Sequence, residues 1–212
     1  RDDVARLLEL SEILMAEGDL KRAAENLKAA SEASPRDVHI LERLRALLIR
    51  LKDDDGFEAV SKRLLALSPQ NVHYKLQDAD YYVSRANLER AKAIWDEVIK
   101  EDPKGAARYL SVARAMIAAG KLDWAESTYS KLIDIAGGVH AYKIELAGLY
   151  LHRAEELLPE SSPVKDWVKR SQGYFKKAED LLLEVSGKDD LTLPETQLAG
   201  ALLLGRRRLE TA

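Results

Sequence analysis

The sequence predicts an all-α fold built from helical hairpins stacked in series, and three observations carry that prediction. Pro35, Pro69 and Pro103 recur with a period of 34, and the next step lands on Gly137, another helix stopper. Apolar residues keep the same period at Leu14, Leu48, Tyr82, Met116 and Tyr150. Three segments, AEGDLKRA from Ala16, SRANLERA from Ser84 and AAGKLDWA from Ala118, repeat one turn: a breaker, an apolar residue, then an alanine three later. A single two-helix hairpin cannot bury its own apolar face, so units of this kind stack on their neighbours.

The bulk composition allows such a stack. Of 212 residues, 46% are hydrophobic and 33% charged, enough apolar material for a sizeable core. No run reaches the roughly 18 apolar residues that a membrane helix requires. The net charge is −3 with acid and base interspersed, whereas duplex nucleic acid selects a basic face. There are no cysteines, which excludes disulfides and thiolate metal sites. The chain opens on Arg1 and shows no signal peptide, so the expectation is a segment excised from a longer protein, cytoplasmic or periplasmic.

The first unit, residues 4–37, places Leu14 and Met15 late in its first helix, then Leu20, Ala23, Leu27 and Ala30 in its second. Alanine belongs at 23 because the two helices cross there at close range, and large residues one turn on fill the space toward the next unit. The second unit, 38–71, departs from this pattern: its turn reads KDDDGFEAV, with Phe57 where alanine is expected. The expectation is a loop lengthened by three residues and a second helix that starts late and turns Val60 inward. The third and fourth units, 72–105 and 106–139, restore the small residues at Ala79, Ala91, Ala113 and Ala125, with Trp95 and Tyr129 in the large slot.

The fifth unit, 140–192, is elongated. Tyr150 and Phe175 occupy the slots of Leu14 and Leu20, yet the chain between them is far longer, so this unit carries an insertion. Helix is expected to about Leu158, a loop at Pro159–Pro163, and helix again from about Val164, so both helices run about two turns too long and the hairpin is expected to stick out of the solenoid. Residues 193–212 begin another unit and read as a partial repeat or a capping helix.

A 34-residue helix-turn-helix with this turn, this alanine and this closing proline resembles the tetratricopeptide repeat. The resemblance implies a right-handed α-solenoid with one elongated hairpin and a C-terminal helix, which binds a partner protein or peptide and does not act as an enzyme. In that family the functional surface is the concave groove lined by first helices. The positions so implied are Ala5, Leu8, Glu12, His39, Glu42, Ala46, His73, Leu76, Asp80, Leu110, Arg114, Ile117, Ile144 and Leu151. Met15, Ile49, Val83, Ile117 and Leu151 form a 34-spaced apolar set that suits either a peptide stripe or core packing. The Lys and Asn clamp of the co-chaperone members is missing, since the first unit reads Leu8 and Glu12 there. Many bacterial members assist secretion or envelope assembly, and the resemblance alone carries that reading.

Trp167 and Tyr174 on the long hairpin form a second candidate surface, aromatic residues being favoured interface anchors; packing of Trp167 onto its own hairpin is the competing reading. Self-association through the ends or the long hairpin, and a regulatory segment of a larger enzyme, are the alternative functions. No phosphate loop, nucleophile elbow or metal motif is present, and no cofactor is expected. The DDDGF segment lacks the alternating acids of a calcium loop. His39 and His73, one period apart on helices separated by another, are too distant to share a metal.

Overall fold

The computed structural model describes residues 2–137, 139–156 and 165–185. Among them are ten helices and no strand: α1 (Asp2–Glu17), α2 (Leu20–Ala33), α3 (Val38–Leu51), α4 (Asp54–Leu67), α5 (Val72–Ser84), α6 (Leu88–Glu101), α7 (Ala106–Ala118), α8 (Leu122–Ile135), α9 (His140–Glu156) and α10 (Lys165–Val185). The chain divides into two compact units, Arg1–Val98 and Ile99–Ala212.

The turn inside each of the first four hairpins repeats one backbone state. Gly18, Lys52, Ala86 and Gly120 stand one repeat apart, and all have positive φ, at 82°, 58°, 58° and 69°. A left-handed residue at this point ends the first helix and turns the chain into the second. Glycine adopts that state without cost, whereas Lys52 and Ala86 hold it against a Cβ penalty.

In the first unit, helix starts are closed by short polar side chains. Asp37 Oδ1 accepts from His39 N–H and Ile40 N–H at 3.0 and 3.3 Å, and Asn71 Oδ1 accepts from His73 N–H at 3.0 Å. These bonds satisfy amides that have no partner inside the helix. The core of this unit joins Leu14, Ala23, Ala24 and Leu27 with Leu41, Leu44, Leu47 and Leu48, and continues through Phe57, Val60, Leu64, Tyr74 and Tyr81. Ala23, Ala79 and Ala91 are fully buried in their small slots, and Trp95 fills the large slot.

The second hairpin differs from the expectation of a lengthened loop. Helix α4 begins at Asp54, in register with Leu20 of α2, and Asp53 Oδ1 caps it by accepting from Gly56 N–H at 2.9 Å. Phe57 stays in the alanine slot at 1% exposure, and Val60 is buried beside it. The bulk is taken up by α5, where the Tyr81 ring stacks on Phe57 with centroids 3.7 Å apart. A neighbouring aromatic surface, and no change of loop length, accommodates the large residue.

In the second unit, Ala113 and Ala125 are fully buried where α7 and α8 cross, with Tyr129 and Leu132 one turn on. Helices α9 and α10 pair as the long hairpin: Ala147, Ala154 and Ala178 are fully buried, and Ser171 Oγ donates to the Ala154 carbonyl at 3.0 Å. The Pro159–Pro163 loop, the Trp167 side chain and residues 193–212 lie outside the described residues.

Candidate functional site

The positions that line first helices fall into columns with the spacing of the repeat, and the columns differ in exposure. Ala5, His39 and His73 are exposed; Leu8, Glu42 and Leu76 are half-buried; Glu12, Ala46 and Asp80 are exposed. In the first unit, α1, α3 and α5 therefore present one face with a half-buried middle row between two open rows. Partly buried Leu8 and Met15 rest on the core beneath, while Ile49 reaches 40% exposure.

Polar contacts tie this face together. Arg43 on α3 donates to Glu12 on α1 at 2.9 Å, and Tyr74 Oη on α5 donates to Glu42 Oε1 at 2.6 Å. His39 Nδ1 lies 3.7 Å from Glu42. The bond to Glu42 raises the Tyr74 phenol above the ordinary tyrosine range, with desolvation adding to it. Desolvation also pushes the Asp80 carboxyl up, opposed by the nearby His73. Asp80 forms no ion pair with a lysine or arginine among the described residues.

In the second unit, Leu110, Ile117 and Ile144 are half-buried and Arg114 is exposed. Arg114 grips Glu145 through Nε at 3.2 Å and Nη2 at 2.8 Å, and Tyr129 Oη donates to the same carboxylate at 2.7 Å. Desolvation opposes ionisation of Glu145, but these bonds outweigh it and hold its carboxyl below the usual range. Leu151 does not line an open face: it is 4% exposed. Helix α9 continues past it along α10, so the position that ends a first helix elsewhere lies inside a helix–helix contact here.

Tyr174, half-buried on α10, turns toward its own unit. Its ring stacks against Tyr150 at 6.1 Å, and the Arg153 guanidinium lies 4.7 Å from its centroid. Arg153 in turn reaches Asp123 at 2.5 Å and Glu126 at 3.1 Å.

Sequence reasoning missed a buried polar group in the first unit. Arg45 Nη1 donates to Asp78 Oδ1 at 3.1 Å, Ser61 Oγ donates to the same oxygen at 2.8 Å, and Arg45 also bonds Gln77. Burial pushes the Asp78 carboxyl up, with Ser61 and Arg45 opposing. The signal was available: Arg45 stands in the column of Ser11, Ala79, Ala113 and Ala147, and Asp78 in the column of Leu10, Leu44, Val112 and Leu146.

Of the DDDGF acids, Asp53 caps α4 and Asp54 bonds Tyr81 and Arg85. Among the described residues no group of three or more His, Cys, Asp or Glu is placed to hold a metal, and no helix is long and apolar enough to cross a membrane.

Residues 14–79 match the family model described as tetratricopeptide repeat. No curated protein sequence matches the chain. Among solved structures, MamA from residue 41 to its end, of Desulfovibrio magneticus RS-1, is similar at 16% identity and a TM-score of 0.47, covering 89% of this chain and 99% of that one. A tetratricopeptide repeat protein from Parabacteroides merdae ATCC 43184 is similar at 19% identity and TM-score 0.45, over 94% of this chain and 84% of that one. TTC0263, a thermophilic protein of the same repeat type in Thermus thermophilus, is similar at 20% identity and TM-score 0.40, over 94% of this chain and 99% of that one.

Proposed function

Starting from a chain of tetratricopeptide repeats, we propose that it is a protein-interaction scaffold whose first-helix face on α1, α3 and α5 binds a segment of a partner protein. The observation that supports this reading best is the exposure of that face, on which Ala5, Glu12, His39, Ala46, His73 and Asp80 are all open. Leu8 and Leu76 supply apolar anchoring, and Glu12, Glu42 and Asp80 supply acid around it. The fitting partner is a segment with apolar side chains and lysine or arginine between them, since complementary charge sets register and speeds encounter.

A peptide-display selection on the purified chain tests this. The expected outcome is enrichment of apolar segments carrying basic residues, with binding lost in Glu42→Lys/Asp80→Lys. Enrichment of acidic segments, or binding indifferent to that double substitution, contradicts it.

A second reading, self-association, is favoured by the outer side of α1. Leu10 and Ile13 are 42% and 54% exposed, whereas Leu44 and Leu47 at the same register in α3 are buried. Light scattering across a concentration series separates the two readings, because a strict monomer leaves only the first.

A further inference from the structure

Two clefts of the first unit occupy the same place in successive hairpins and differ in what fills them. One opens between α2 and α4 over α3, with a volume of about 510 Å³, and includes Ala24, Leu44, Leu48, Gly56 and Val60 in its wall. The other opens between α4 and α6 over α5, at about 310 Å³, and includes Glu58, Asp78, Tyr82, Arg90 and Ile94. Each residue of the second set stands one repeat period after its counterpart in the first.

The smaller cleft is plugged by a carboxylate, a ring and a cation. Tyr82 Oη donates to Glu58 at 2.8 Å, and the Arg90 guanidinium lies 5.4 Å from the Tyr82 centroid. The second unit repeats the device on its own elements: Tyr150 Oη donates to Glu126 at 3.0 Å, and Lys177 Nζ lies 5.0 Å from the Tyr150 centroid. In the larger cleft the three positions are Ala24, Leu48 and Gly56, which bring no carboxylate, ring or cation. Gly56 is held to that identity by the cap of α4: a Cβ there would lie 2.5 Å from Asp53 Oδ2 and 3.0 Å from Leu48 Cδ2.

We infer that the α2–α4 cleft is a binding pocket for an aromatic side chain presented by a partner protein. The two plugged copies define the occupant, since each houses a tyrosine ring between a carboxylate and a cation. Here the floor is leucine, and the rim carries Lys28 and Glu32 on α2, neither engaged in an ion pair among the described residues. An incoming ring gains apolar contact below and finds both charges of the plugged sites above, including a cation for its face. The volume lies within the range of side-chain and small-ligand pockets. The pocket opens between second helices and shares no residue with the first-helix face, so its failure would leave the scaffold reading untouched.

Titration of the whole chain with N-acetyl-tryptophanamide, followed through the isoleucine, leucine and valine methyl resonances, tests the pocket. Saturable shifts are expected at Leu44, Leu48, Leu51 and Val60. Ala24→Glu/Leu48→Tyr rebuilds the carboxylate–tyrosine tie and should lose them while its circular dichroism stays helical. Glu58→Ala/Tyr82→Leu/Arg90→Ala opens the second cleft and should add shifts at Ile94. Absence of saturable shifts in the unaltered chain overturns the inference, as does their persistence in a folded Ala24→Glu/Leu48→Tyr variant.

Discussion

The hairpins α3–α4 and α7–α8 are copies of one repeat, one in each compact unit, and they solve the same crossing in opposite ways. In α7–α8 the slots where the helices meet hold Ala113 and Ala125, both fully buried, so the crossing is closed by smallness. In α3–α4 the same slots hold Arg45 and Phe57, also buried. Both large side chains are received by α5: Asp78 and Gln77 bond the guanidinium, Tyr74 lies 5.3 Å beneath it, and Tyr81 stacks on Phe57. The register of a repeat therefore survives loss of its small residues when the next helix carries matching chemistry. The cost is that two hairpins become chemically dependent on each other.

That dependence gives the largest expected effect. Asp78→Ala strips the partner from a buried guanidinium and should lower stability by about 3–5 kcal/mol in denaturant melts. Arg45→Ala/Asp78→Leu, which installs the residue types of the other repeats, should recover most or all of that loss, because a buried ion pair is often replaceable by apolar residues without penalty. A double variant as unstable as Asp78→Ala would show that the pair does more than fill its slots.

On the other side of the comparison, Ala113→Leu should cost about 1–3 kcal/mol by overpacking a crossing with no neighbour prepared to receive the bulk. A smaller effect separates the helix starts. Asn71→Ala removes a cap and should cost about 1 kcal/mol, whereas Gly105 and Lys121, which open α7 and α8, make no side-chain cap bond to lose.

The smallest effect is one of pH. Glu145 titrates below its unfolded value, so the folded chain binds that proton less readily than the unfolded one. Its contribution is complete above the unfolded value and fades as pH falls through the lowered folded one. Glu145→Gln should lower the thermal midpoint slightly at neutral pH and flatten that acid-side decline, so that the two proteins converge in acid. Because the carboxylate is partly exposed, solvent screening keeps the effect small.

Much of this fold is legible in the sequence because periodic small and large residues report directly on helix crossings. Ala23, Ala79, Ala91, Ala113 and Ala125 each sit where the repeat spacing puts them. The α3–α4 turn resists such reading because Phe57 looks like a local problem needing a longer loop, whereas its solution lies in Tyr81 on the following helix. The Arg45–Asp78 pair escapes for the same reason: each residue looks anomalous alone, and only the stack brings them together. Leu151 departs from its expected place because the extra length of α9 changes what a fixed register position touches. At the candidate face, the columns of Leu8, Glu12 and His39 can be read in advance, but the ties from Arg43 and Tyr74 cannot, since they depend on side chains reaching between hairpins.

Whether the first-helix face of the first unit holds a partner protein can be decided by photo-crosslinking in the cells that make the chain. Benzoylphenylalanine is placed at Ala46 on that face and, for comparison, at Asp96 on α6. A discrete protein adduct is expected from position 46, disappearing with Glu42→Lys/Asp80→Lys, and none from position 96. Equal crosslinking from both positions, or an adduct from 46 indifferent to charge reversal, would contradict a partner seated on that face.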